Sequence, residues 1–156
     1  MNIAIFVDVQ NIYYTTRDHY NRQFNYRKFW EIISKQGQIV SAIAYAIHRV
    51  DDKQHKFQTA LKHIGFDVKL KPFIQRADGS AKGDWDVGIT IDVMEIAATV
   101  DKVILLSGDG DFSMLLDKIN SSYCVITEVY AVRPLTANAL INAATKFNAI
   151  DTTLLL

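Results

Sequence analysis

VILLSGDGDF (Val103–Phe112) sets four unbroken apolar residues against a short turn that carries two acids. A run with no polar interruption is what a strand needs when both of its faces are covered, the usual state of a central parallel strand. Gly108 and Gly110 punctuate the turn, and Phe112, Leu115, Leu116 and Ile119 then follow at helical spacing. The segment therefore predicts strand, turn and helix, with Asp109 and Asp111 just beyond the strand's carboxyl end. In open parallel sheets that edge is where sites form.

The same scheme extends in both directions. Ile3 to Val7 is a second all-apolar run, followed by Asp8 and a helical segment from about Asn11. Asn25 then caps a clearer helix with Tyr26, Phe29, Trp30 and Ile33 on one face, closed by Gly37. Ile39 to Ile47 reads as a strand, and Asp51 and Asp52 open a helix carrying Phe57, Ala60, Leu61 and Ile64 up to Gly65. Phe66 to Leu70 is a third strand, and residues 72 to 82 read as a loop. Val87, Ile91, Met94 and Ala98 mark one face of a helix starting near Asp84 or Asp86. Cys124 to Val132 is the fifth strand, and Thr136 caps a last helix with Ala137, Leu140, Ile141 and Ala144 inward. This alternation predicts an α/β three-layer sandwich around a mainly parallel sheet of about five strands, as one domain over residues 1–156.

Folding on that pattern brings Asp8, Asp86, Asp109 and Asp111 toward one edge of the sheet. Carboxylates so gathered repel and raise one another's pKa unless a divalent cation lies between them. All-oxygen donors suit Mg²⁺ or Mn²⁺, which polarise phosphodiesters and activate water. Other readings are open for Asp8 and Asn11, which are also suited to satisfying turn and helix-start amides. The turn at Gly108 imitates the start of a dinucleotide fingerprint, but two acids there would repel a pyrophosphate. It fails as a calcium loop because Met114 and Asn120 stand where glycine and glutamate are needed. Asp84 is expected to cap the helix that Asp86 opens. Asp92, six residues on from Asp86, lies about 9 Å along the axis and about 120° around it, so a role supporting the site or the fold suits it better than a shared ion. Ser107 and Asn11 are expected to orient carboxylates or water.

A formal net charge of zero hides a local asymmetry. Lys53 to Lys82 holds seven Lys or Arg against two acids, whereas Asp84 to Asp117 holds eight acids and one base. An acidic centre beside a basic rim suits metal-assisted cutting of a polyanion, with Lys69, Lys71, Arg76 and Lys82 on its backbone; a solvated basic surface accounts for the same stretch equally well. Tyr13 and Tyr14 are placed to stack bases or to pack against the body. His19, His48, His55 and His63 show no ligand spacing and are expected at the surface. Nothing in the sequence is long and apolar enough for a membrane span or resembles an export signal, so a soluble, cytoplasmic protein is expected. The single Cys124 is expected in the core, and the apolar tail Thr153–Leu156 leaves room for a homo-oligomer or protein partner.

FVDVQNIYY, KGDWDVGITIDVM and LLSGDGDFSMLL, in this order and spacing, resemble the NYN domain family, in particular its LabA-like branch, within the PIN-like nuclease superfamily. The resemblance spans essentially the whole chain. It implies a PIN-like fold and metal-dependent cleavage of RNA, with the acidic positions falling on Asp8, Asp86, Asp109 and Asp111 and with Asn11 as partner of the first. Where relatives tend toward Ala-Asp-x-Phe in the last helix, this chain has Ala144-Thr145-Lys146-Phe147. The function so implied is a Mg²⁺- or Mn²⁺-dependent ribonuclease; the alternatives are a non-catalytic regulator that binds RNA or protein and a small-molecule phosphatase.

Overall fold

The computed structural model describes residues 1–48, 51–72, 74–75, 81–82 and 84–156. In chain order these form β1 (Asn2–Asp8), α1 (Val9–Tyr20), α2 (Tyr26–Ser34), β2 (Gln38–His48), α3 (Asp52–Ile64), β3 (Asp67–Pro72), β4 (Ile74–Gln75) and β5 (Ala81–Lys82). They continue with α4 (Asp86–Ile96), β6 (Lys102–Leu106), α5 (Ser113–Tyr123), β7 (Ile126–Ala131), α6 (Asn138–Ala143) and β8 (Lys146–Ala149). Strands β3-β2-β1-β6-β7-β8 make one sheet, every pair parallel. Helices cover both faces, giving the expected α/β sandwich.

The side-chain alternation of β1 explains the two-sided core. Ile3, Ile5 and Val7 point to one face and pack with Ile12, Phe29, Ile33 and Leu61 from α1, α2 and α3. Ala4 and Phe6 point to the other and meet Ile89, Val93, Leu115, Leu116, Ile119 and Leu140 from α4, α5 and α6. Ile3 to Val7 are wholly buried, which is why this strand reads as a continuous apolar run. Local caps set the helix starts: Asn25 Oδ1 accepts from Lys28 N at 3.0 Å, and Asp51 Oδ1 from Gln54 N at 2.7 Å. Gly65 ends α3 at φ +135°, and a Cβ there would lie 2.7 Å from the Trp30 ring.

The sheet expected at about five strands is borne out with six, while several local expectations are corrected. The sheet has six strands, because Lys146–Ala149 pairs in parallel with β7 at the edge. Ala144-Thr145-Lys146-Phe147 thus leads out of α6 into β8 and does not lie in the last helix. Thr136 caps nothing: its Oγ1 donates back to Val132 O at 2.7 Å, Ala137 precedes α6, and of the expected inward residues only Leu140 is fully buried. The buried stripe of α4 is Ile89 and Val93, while Val87 and Ile91 are 72% and 53% exposed. This helix is apolar nearly all round, so periodicity did not select its inner face. Cys124 is exposed; it ends α5 in the left-handed region at φ 52°. Residues 72 to 82 include a short antiparallel pairing of β4 with β5. Leu154 and Leu155 of the tail are buried, and Leu156 N donates to Gln23 O at 2.8 Å, so the tail closes on this chain's own core. The four histidines are exposed as expected. Among the described residues no helix is long and apolar enough to cross a membrane.

Candidate functional site

Strand register places the first groups. Val7 pairs with Leu106, so Asp8 and Ser107, each one residue further on, emerge side by side at the carboxyl edge of the two central strands. Ser107 Oγ donates to Asp8 Oδ2 at 3.0 Å and accepts from Asp109 N at 3.2 Å. Asn11, in the first turn of α1, donates its N–H to Asp8 Oδ1 at 3.5 Å, and its Oδ1 accepts from Gly108 N at 2.9 Å. The β6–α5 turn is thereby docked onto the start of α1. Its glycines have a steric reason: a Cβ at Gly110 would come 2.8 Å from Ala137 Cβ, and one at Gly108 3.0 Å from Leu135 O. Asp109 Oδ1 then accepts from Asp111 N at 2.9 Å, capping the single turn that leads into α5.

The start of α4 brings the third element. Trp85 anchors it: Nε1 donates to Ala46 O at 2.9 Å, and its ring packs against Tyr45 at 5.3 Å between centroids. Gly88 makes room for that ring, since a Cβ there would meet Trp85 at 2.6 Å. Lys71 Nζ donates to Asp84 O at 3.0 Å and lies 4.9 Å from the Trp85 ring centre. Asp84 Oδ1 accepts from Asp86 N at 3.4 Å, a long contact at the helix start. Nothing in the sequence pointed to Trp85 or Tyr45 as anchors; the available signal was a lone tryptophan between two acids after a polar loop.

The result is a compact set of carboxylates. Oxygens of Asp86, Asp109 and Asp111 lie within 4.8 Å of one another. Asp8 is not one of these three but stands behind them, buried against Ser107. Burial pushes Asp8 up to about 6 against the pull of its hydrogen bonds from Ser107 and Asn11, with the Asp109 and Asp84 charges adding to the rise. Asp86 is pushed up to about 7, by burial first and then by its hydrogen bond with Asp109 and the charges of Asp109, Asp84 and Asp8.

Other expected residues fall elsewhere. Of the two roles open to Asp92, support of the fold is the one observed: it accepts from Tyr45 OH and from Lys69 Nζ, each at 2.7 Å, and fastens α4 to β2 and β3. Burial pushes its pKa upward, but Lys69 and Tyr45 hold it below the usual carboxylate range. Lys69 is committed to this bond and does not stand free for a phosphate. Tyr45→Phe, which removes one of the two bonds, is expected to lower stability by about 1 kcal/mol, read as a shift in denaturant midpoint; an unchanged midpoint would show that Lys69 alone holds Asp92. Tyr13 is half exposed, edge-on to Tyr14 at 5.3 Å, with the Arg17 guanidinium 4.7 Å from the Tyr14 ring centre. Lys82 lies in β5, and Arg76 lies outside the described residues.

The NYN domain family model matches residues 2–151. The chain belongs to the NYN domain family. Its six-stranded parallel sheet between helices fits the PIN-like fold expected of an NYN domain. This NYN chain is 27% identical over 153 residues to the Low amplitude and bright protein LabA of Synechococcus elongatus, covering 93% of this chain and 81% of that protein. It is similar to a protein of unknown function from Vibrio parahaemolyticus whose crystal structure superposes with a TM-score of 0.95 at 54% identity, over 99% of this chain and 96% of the other. Ribokinase from Giardia lamblia shares the fold of the NYN chain, with a TM-score of 0.51 at 11% identity, over 95% of this chain and 57% of the enzyme.

Proposed function

We propose that this chain is a Mg²⁺- or Mn²⁺-dependent ribonuclease that hydrolyses phosphodiester bonds of single-stranded RNA, with residues 1–156 acting as one domain. The observation that carries this reading is the packing of Asp86, Asp109 and Asp111 oxygens within 4.8 Å at the carboxyl edge of the sheet. Three oxygen donors, electrostatically strained by one another, form a donor set that fits a hard divalent cation, and these residues would hold it. Such a cation supplies Lewis-acid charge to phosphoryl oxygens and activates water. The chain's own groups do the rest. Ser107 and Asn11 fix the turn that presents Asp109, and Lys71 and Trp85 fix the segment that presents Asp86. Asp8, held by Ser107 and Asn11 at the end of the central strand, would add a further carboxylate beside this donor set. Lys71 adds positive charge beside the acids for an incoming backbone. Family membership supports the reading, since the resemblance that led to it implies RNA cleavage.

The test is incubation of the purified chain with single-stranded RNA of varied sequence and Mn²⁺, with and without chelator. Cleavage that stops on chelation is expected. RNA that is bound but remains uncut with every divalent metal would overturn the enzyme reading in favour of a binding regulator.

A further inference from the structure

A second region of the surface gathers charge of the opposite sign. Between α2 and α3 lies an open groove of about 780 Å³ lined by Arg27, His55, Lys56, Thr59, Ala60 and His63. Its α3 residues share one face of the helix, at positions 55, 56, 59, 60 and 63. The short side chains of Thr59 and Ala60 leave the depression, and the cations and histidines surround it. Among the described residues no carboxylate lines the groove. From residue 53 to residue 66 the chain has three lysines and two histidines without an acid. Among the described residues neither Arg27 nor Lys56 is in an ion pair, whereas Arg17, Lys69 and Lys102 each have a carboxylate partner.

We infer that this groove holds the phosphate backbone of an RNA strand and grips it independently of the metal. The choice of RNA as the polymer rests on the ribonuclease reading. The groove is broadly open to solvent, so it suits a strand lying across it better than a small anion enclosed by it. Cations without carboxylate partners exchange their counterions for phosphates at little desolvation cost, and the resulting affinity depends on salt and not on sequence. None of these side chains belongs to the acidic set, so grip and cleavage are separable. Lys71 at the acidic site and the groove on the α2–α3 surface then give the strand two points of attachment.

The experiment measures fluorescence anisotropy of a labelled single-stranded RNA with full-length protein in chelator. Arg27→Glu combined with Lys56→Glu is expected to weaken binding at least about tenfold and to lower the salt slope by roughly 1.4, at about 0.7 for each lost contact. Ala60→Trp, which fills the groove without changing charge, is expected to weaken binding as well. Thermal melts check that both variants are folded. Wild-type affinity and salt slope in the folded double variant would overturn the inference, whether or not the protein cuts RNA. Adenosine monophosphate bound more tightly than the RNA strand, and lost in the double variant, would also overturn it by assigning the groove to a free phosphate ester. The ribonuclease reading fails separately: weakened binding by the double variant, with no cleavage by the wild type under any metal, would remove the enzyme and keep the groove.

Discussion

Asp109→Asn should lower RNA turnover about a thousandfold, equivalent to roughly 4 kcal/mol of transition-state stabilisation. Asp109 does more than its neighbours: its carboxylate belongs to the three-acid set, lies beside that of Asp86, and accepts the Asp111 N–H that shapes the turn. Asparagine keeps an oxygen for the Asp111 N–H but carries no charge, so the turn persists while the donor set loses a third of its acids. Calorimetric titration should show weakened Mn²⁺ binding alongside the lost turnover, with an unchanged circular dichroism spectrum. Full turnover by the purified variant would remove Asp109 from the chemistry. Lost turnover with unaltered Mn²⁺ affinity would instead make it a residue that positions the turn.

The second large effect concerns pH in the absence of metal. Asp8 is raised from 3.8 to about 6 in the folded chain. Between those values the unfolded chain has released this proton while the folded chain retains it, so stability declines as pH rises through the interval. The contribution is fully present below about pH 4 and is lost above about pH 6. At 1.36 kcal/mol per pKa unit the loss is about 3 kcal/mol. Asp86, raised to about 7, extends the decline toward neutrality. Asp8→Asn carries no such proton and should be more stable than the wild type at pH 7.5 in chelator, with the gap closing by pH 4. Mn²⁺ should offset the wild type's deficit, adding about 2.7 kcal/mol at a hundredfold excess over its dissociation constant. Melting curves across this pH range, with and without Mn²⁺, provide the check. A flat wild-type profile would refute the burial of a costly acid at position 8, and equal Mn²⁺ shifts in wild type and Asp109→Asn would show that the ion binds elsewhere.

The fold was most legible where burial is two-sided. Ile3–Val7 and Val103–Leu106 lie in the middle of a parallel sheet and have no face on which to display polar residues, so their sequence admits little besides a buried strand. β8 escaped notice because an edge strand of four residues, Lys-Phe-Asn-Ala, alternates too briefly to stand out and follows a helix without a clear stop. The inner face of α4 was misread for the converse reason, an excess of apolar residues. At the site, convergence of Asp86, Asp109 and Asp111 followed from their positions after strands or at a helix start. The set-back position of Asp8 did not follow, because it depends on a hydrogen bond to Ser107, 99 residues away. Likewise, the commitment of Asp92 and Lys69 to each other joins α4 to β3, a contact across the fold that no local pattern encodes.

The pairing of β1 with β6 has a consequence for how the protein comes into being. Ile3 finds Lys102 only after almost a hundred intervening residues have been made, and this one seam joins the two halves of the sheet. During synthesis β1 can pair with β2 as soon as that strand emerges, but its other edge stays open, with the apolar Ile3–Val7 run exposed to any strand nearby. Closing so long a loop is entropically expensive and slow. Until it closes, Asp8 lacks Ser107 and the β6–α5 turn lacks Asn11. A nascent chain therefore has its acids but not their arrangement, and the seam that protects it from aggregation is the same seam that completes its chemistry.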